Sequence, residues 1–91
     1  MASKTTIEEL KALVNRINDL TGNDRDPCRH LDGKTVWSIG SYSLTGAYGG
    51  HGLEQVANES GGVRSIIGGY LPKRDLADRM RSFIAGLQAK D

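Results

Sequence analysis

The chain has little of the chemistry on which many small proteins rely. It contains a single cysteine, Cys28, so no disulfide can form within the chain, and we expect a reducing, intracellular setting. No apolar run approaches the roughly 20 residues that a membrane-spanning helix needs. The polar first residues also lack the apolar core of a signal peptide. The sequence therefore predicts a cytoplasmic protein with no membrane partner.

Charge of one sign is also lacking, because 12 basic residues nearly balance 11 acidic ones and the net charge is +1. This balance argues against a nucleic-acid binder that depends on bulk charge, although it permits a local basic patch. A chain of 91 residues is the size of one small domain. We expect a single domain over 1–91, with frayed tails at 1–4 and 88–91.

Two segments have apolar residues at the three- and four-residue steps of an amphipathic helix. The first spans 5–20, and Thr5 with Glu8, or Thr6 with Glu9, fits a capping box at its start. The second follows Pro72, a residue that is tolerated at a helix start. Its apolar stripe comprises Leu76, Met80, Phe83, Ile84 and Leu87.

Between the helices, the sequence predicts a polar loop at 23–34 and strands at 35–44, 53–58 and 63–71. Residues 53–58 also fit one helical turn, but six residues are too few for a well-specified helix, so we favour a strand. The glycine-rich stretch 44–53 is interpreted as the hairpin connection between the first two strands. The predicted fold is α+β in the order α-β-β-β-α, with both helices packed on one face of a three-stranded antiparallel sheet.

The motifs of catalysis and cofactor binding are missing. No Gly-x-Ser-x-Gly elbow, phosphate-binding loop or dinucleotide fingerprint occurs. Cys28 and His30 are too few for a structural zinc site, even with His51. His51 has no carboxylate near it in sequence that could orient it as a general base. We therefore expect no enzyme activity, no catalytic residue, no metal and no cofactor.

Binding is the better-supported hypothesis. Tyr42, Tyr48 and His51 flank glycines that allow a partner to approach closely, and tyrosine is common at interfaces. Both tyrosines could equally pack inward, and the sequence leaves this open. Arg64, Lys73 and Arg74 form the candidate basic patch, because cations at a helix start can hold phosphate.

Several segments resemble small proteins encoded by phages and prophages, and together they cover most of residues 35–87. They are Ile39-Gly40-Ser41-Tyr42-Ser43-Leu44, Ala47-Tyr48-Gly49-Gly50, Asn58-Glu59-Ser60-Gly61-Gly62-Val63, Lys73-Arg74-Asp75-Leu76 and Phe83-Ile84-Ala85-Gly86-Leu87. The resemblance implies a phage accessory protein in the host cytoplasm and carries no catalytic residue.

Three functional hypotheses follow from the residues and the resemblance. The first is a non-enzymatic accessory protein that binds a host or phage macromolecule, preferably a protein, and inhibits a host defence or regulatory factor. The alternative is a nucleic-acid-binding domain that uses the basic start of the last helix. The third is a homo-oligomer that binds a small ligand or nucleotide.

Overall fold

A computed structural model describes residues 4–89. Within these residues the fold is α+β, as the sequence predicts, but it contains five strands instead of three. The elements are α1 (Ile7–Thr21), β1 (Cys28–Leu31), β2 (Lys34–Trp37), β3 (Tyr42–Ala47), β4 (Gly50–Val56), β5 (Val63–Leu71) and α2 (Lys73–Gln88). Of the predicted tails, Lys4 precedes α1 and Gln88 still belongs to α2, whereas 1–3 and 90–91 lie outside the described residues.

The predicted three-stranded antiparallel sheet is present, with strand order β3-β4-β5. Helices α1 and α2 pack on each other and on this sheet. The core between them consists mainly of aliphatic side chains, together with the ring of Tyr42: Leu10, Val14, Ile17, Tyr42, Leu53, Leu76, Ala77, Met80 and Ile84. The two apolar stripes thus bury against one sheet face, as their helical spacing predicts.

Specific polar contacts fix α1 at both ends and on the sheet. The Thr6 hydroxyl accepts a hydrogen bond from the Glu9 backbone N–H at 3.2 Å, so the second of the two predicted caps is the one used. The fully buried Asn18 side chain donates to the carbonyl of Tyr42 at 3.0 Å and accepts from the Tyr42 N–H at 2.7 Å. This amide joins α1 to the edge strand β3.

The predicted loop at 23–34 and the predicted strand at 35–44 are both wrong in their boundaries. Strands β1 and β2 form a separate antiparallel hairpin, which we call the arm, closed by Asp32 and Gly33. Residues 38–41 then turn the chain into β3, so 35–44 contains parts of two strands in different sheets. The arm contacts the rest of the fold through the ring of Trp37, which lies against Gly61, and through an ion pair between Arg29 and Asp24.

The remaining strand predictions agree with the structure. Residues 53–56 form the second half of β4, which resolves the ambiguity between strand and helix in favour of the strand. Strand β5 has the predicted bounds. The hairpin between β3 and β4 falls within the glycine-rich stretch, although its loop is only Tyr48 and Gly49, because both strands extend into that stretch.

Candidate binding site

Tyr48 is the most exposed large hydrophobic side chain in the described part of the protein, with 95% of its surface accessible. It lies with Gly49 in a two-residue loop, and both residues have positive φ, +52° and +74°. Positive φ at both positions defines a type I′ turn, which favours Asn-Gly or Asp-Gly. Tyr48 therefore points out of the fold, which answers the question that the sequence leaves open.

Tyr70 lies beside Tyr48 although the two are far apart in sequence. Their ring centroids are 5.6 Å apart and the rings meet edge to face at 67°. Tyr70 is 41% exposed and also has a left-handed backbone, with φ +48°. It occupies an irregular end of β5, where the register against β4 shifts between His51 and Leu53. We call Tyr48 and Tyr70 the tyrosine pair.

Both tyrosines are held in a backbone conformation that is unfavourable for their side chains. Only three non-glycine residues between 4 and 89 have positive φ, and the third is Asp32, whose short side chain tolerates it. A left-handed conformation costs roughly 1–2 kcal/mol for an ordinary L-residue. Such strain persists only where the surrounding fold offsets it, and it concentrates at functional positions.

A concave surface rich in positive charge adjoins the tyrosine pair. This cation pocket has a volume of about 450 Å³ and is lined by Lys4, Thr5, Gly49, His51, Pro72, Lys73 and Arg74. Gly49 follows Tyr48 directly, and Pro72 lies two residues after Tyr70. Three elements meet here: the segment before α1, the β3–β4 hairpin and the start of α2. Among the described residues, no carboxylate lines the pocket.

The three cations of the pocket, Lys4, Lys73 and Arg74, have no ion-pair partner in the described part of the chain. At the start of α2, Pro72 provides no side-chain cap. The first N–H groups of a helix have no partner within the helix and carry partial positive charge. Side chains and backbone therefore combine to favour an anion at this place.

His51 forms one wall of the pocket and is half-buried on the central strand β4. Its Nδ1 is a buried nitrogen with no hydrogen-bond partner among the described residues. Buried polar atoms are nearly always paired. The described residues therefore leave one ring nitrogen of a pocket-lining side chain without a hydrogen-bond partner.

The other predicted binding residues do not join this site. Tyr42 is only 9% exposed, and its ring packs edge to face on Phe83 at 5.8 Å. It is thus a core residue, and its interpretation as a contact residue was wrong. Arg64 lies at the opposite end of β5, on the order of 20 Å from Leu71 by strand geometry. There its guanidinium donates to Gln55 at 2.6 and 2.9 Å.

Two members of the site were missed in the sequence. Tyr70 fits the strand pattern of 63–71, and that pattern does not distinguish it from a residue that only packs in the sheet. The preceding Gly68-Gly69, with Pro72 shortly after, was a usable signal that the strand ends irregularly there. Lys4 precedes α1 and lies 69 positions before Lys73. No spacing rule connects such residues, so only the fold reveals that they share a pocket.

A wider cleft of about 600 Å³ lies between β5 and α2, lined by Ile66, Ile67, Gly68, Arg79, Ser82 and Phe83. It contains one charged group, whereas the cation pocket gathers three, so size does not identify the site. Within residues 4–89 no group of three or more His, Cys, Asp or Glu side chains is placed to hold a metal. Neither helix of this range combines the length and apolarity needed to cross a bilayer.

The tyrosine pair and the cation pocket together define the candidate surface of a small α+β protein. Comparison with protein-family models, with curated protein sequences and with solved structures gives no match.

Proposed function

We propose that this chain is a non-enzymatic binding protein, and that it engages a host or phage macromolecule through the tyrosine pair and the cation pocket. The observation that supports this most directly is the tyrosine pair itself. Two rings stand exposed on left-handed backbones, an arrangement that stability alone does not favour. Tyrosine supplies large apolar area and a hydrogen-bonding tip at low entropic cost, as binding surfaces require.

The resemblance to phage accessory proteins supports a partner from the infected cell. In that setting the protein would act in the host cytoplasm by occupying a surface of a defence or regulatory factor. The two sheet edges are less suited to this role. Edge strand β3 is tied to α1 through Asn18, and β5 is bulged near Tyr70, which disfavours the addition of another strand.

The experiment compares two asparagine variants in affinity capture from extracts of the host cell. Tyr48→Asn removes an exposed ring and creates an Asn-Gly turn, which suits the type I′ geometry. Asp32→Asn makes the same Asn-Gly turn at the tip of the arm, away from the tyrosine pair. We expect the parent protein and Asp32→Asn to retain the same partner, and Tyr48→Asn to lose it.

Partner recovery that is equal for both variants would contradict the proposal, because it would show that Tyr48 contributes nothing to recognition. A folded state shared by both variants, checked by circular dichroism, excludes a trivial loss of structure.

A further inference from the structure

We infer that the cation pocket receives the phosphate of a nucleotide unit and that the base of this unit packs on the tyrosine pair. The inference rests on the proposed role of this end as the binding surface, and it names the chemistry of the partner. Two features support it independently: positive charge in a concave site, with no ion-pair partner in the described part of the chain, and exposed aromatic rings beside it.

The charge of the pocket fits phosphate. Lys4, Lys73 and Arg74 come from two separate segments that converge on one cavity, and no described carboxylate pairs with any of them. Lysine and arginine are the usual phosphate ligands, and arginine can bind phosphate oxygens through two parallel N–H groups. The uncapped start of α2 adds backbone N–H donors to the same cavity.

The volume of the pocket is compatible with the phosphate and sugar of one nucleotide but leaves no apolar chamber for the base. A pocket of about 450 Å³ is at the small end of ligand sites. The base would instead lie outside, against an aromatic ring. Tyr48 is 95% exposed, and the edge-to-face packing of the tyrosine pair leaves ring surface free for stacking.

Single-stranded nucleic acid fits this arrangement better than a duplex, because stacking on a side chain needs a base that is free of its helical stack. The near-zero net charge, +1, also suits a short, local contact rather than a long phosphate track. A free nucleotide has the same phosphate and base, so the test has to distinguish a free nucleotide from a single strand.

The test is fluorescence anisotropy with a labelled single-stranded decamer of thymidylate, at 50 and 200 mM salt. We expect binding that weakens roughly threefold between these salt concentrations for each phosphate neutralised. A duplex of the same length should bind at least tenfold more weakly. Unlabelled thymidine monophosphate and inorganic phosphate serve as competitors.

Two double variants with equal loss of charge test the location. Lys73→Ala with Arg74→Ala removes two cations from the pocket, and we expect affinity to fall at least tenfold. Lys11→Ala with Arg16→Ala removes two exposed cations from α1, outside the pocket, and should leave affinity within twofold. Tyr48→Asn should weaken binding roughly tenfold through lost stacking.

The outcomes are distinct. Equal losses in both double variants, or displacement by inorganic phosphate as effective as by thymidine monophosphate, would overturn the inference. A monophosphate that binds within tenfold of the decamer would support it and identify a free nucleotide as the source, whereas much tighter binding of the decamer identifies a strand.

Absence of decamer and monophosphate binding at 50 mM salt would overturn the inference without overturning the proposed function. In that case a partner captured through Tyr48 from nuclease-treated extract would identify a protein ligand. If the protein neither bound these nucleotides nor captured a partner through Tyr48, both the inference and the proposed function would be overturned.

Discussion

Tyr48 occupies a position for which another residue is better suited. Asparagine adopts the left-handed conformation more readily than tyrosine, and Asn-Gly is the preferred type I′ pair. We expect Tyr48→Asn to keep or raise the free energy of unfolding, by up to about 1 kcal/mol, because relief of backbone strain outweighs the lost ring contact with Tyr70. Urea denaturation measures this, and a loss above 1 kcal/mol would show that the tyrosine pair serves the fold.

Asn18 is the buried polar residue that joins helix α1 to strand β3. Its amide satisfies both backbone groups of Tyr42 in the buried interior. Asn18→Ala should lower the free energy of unfolding by about 2–4 kcal/mol, since a donor and an acceptor lose their partner where water cannot replace it. Asn15→Ala, on the same helix, makes the matched control and should change stability by less than about 0.5 kcal/mol.

A pH effect is expected at Asp19. Hydrogen bonds from Arg25, at 3.0 and 2.5 Å, hold the pKa of the Asp19 carboxyl below its ordinary value of 3.8, while partial desolvation opposes this shift. Because the pKa is depressed in the folded state, the pair stabilises the fold above pH 3.8 and loses this contribution as the pH falls through the native pKa.

Both side chains of that pair are more than half exposed, so the contribution is small. Arg25→Ala should return the pKa of Asp19 toward 3.8, which an NMR titration of the carboxyl carbon detects. An unchanged titration midpoint would mean that the guanidinium is not bound in solution.

Among the helices and strands, the sequence predicts those in which apolar residues recur with a regular period, such as α1. It misses strand β1, which is mostly exposed. The stripe that contains Leu10 and Ile17 predicts α1 because burial imposes a helical period on it. Strand β1 has no such period, since three of its four residues are exposed and no buried face selects apolar residues. The turn at Asp32 and Gly33 was visible, but its flanks lacked the alternation that marks a hairpin.

The direction of the tyrosines could not be predicted for a related reason. Along one strand the side chains alternate between faces, so Tyr42 faces inward with Leu44. Tyr48 lies beyond the end of that strand, in the turn, where left-handed backbone replaces alternation. The sequence therefore correctly locates the hairpin, while the orientation of each ring depends on where β3 ends.

The arm contacts the rest of the fold through the Trp37 ring and through an ion pair between Arg29 and Asp24, and the Trp37 contact can be tested directly. An added Cβ at Gly61 would overlap the indole ring of Trp37, and Gly61 also has φ +87°. Gly61→Ala should therefore displace Trp37, the only tryptophan, and shift its fluorescence emission to longer wavelength. The control is Gly86→Ala, where an added Cβ meets nothing within 4 Å. Unchanged emission in the Gly61 variant would contradict the described contact.

At the scale of the whole molecule, the described part of the chain is flat and measures 49 × 37 × 20 Å, arm included, and the arm makes few contacts with the other helices and strands. The carbonyl of Pro27 accepts a hydrogen bond from Ser38 N–H at 2.8 Å, so the two ends of the arm are adjacent. Replacement of 28–37 by Asn-Gly should therefore leave the sheet and helices folded.

For this shortened chain we expect the unfolding midpoint, measured by circular dichroism, to fall by no more than about 8 °C, which corresponds to roughly 1 kcal/mol for a domain of this size. Loss of the cooperative transition would instead show that the arm is part of the folding unit. Recognition at the tyrosine pair should be unaffected, because Tyr48 in the β3–β4 loop and Tyr70 in β5 both lie outside the arm.

Strand β4 approaches β5 so closely near Tyr70 that a Cβ at Gly50 would overlap the Tyr70 carbonyl oxygen. One hydrogen atom on the interior strand thus determines where Tyr70, and the start of α2 shortly after it, can sit. A methyl group there would move apart the two halves of the recognition surface while every residue on that surface kept its identity. The geometry of this surface therefore depends on the buried Gly50 as much as on any residue that a partner contacts.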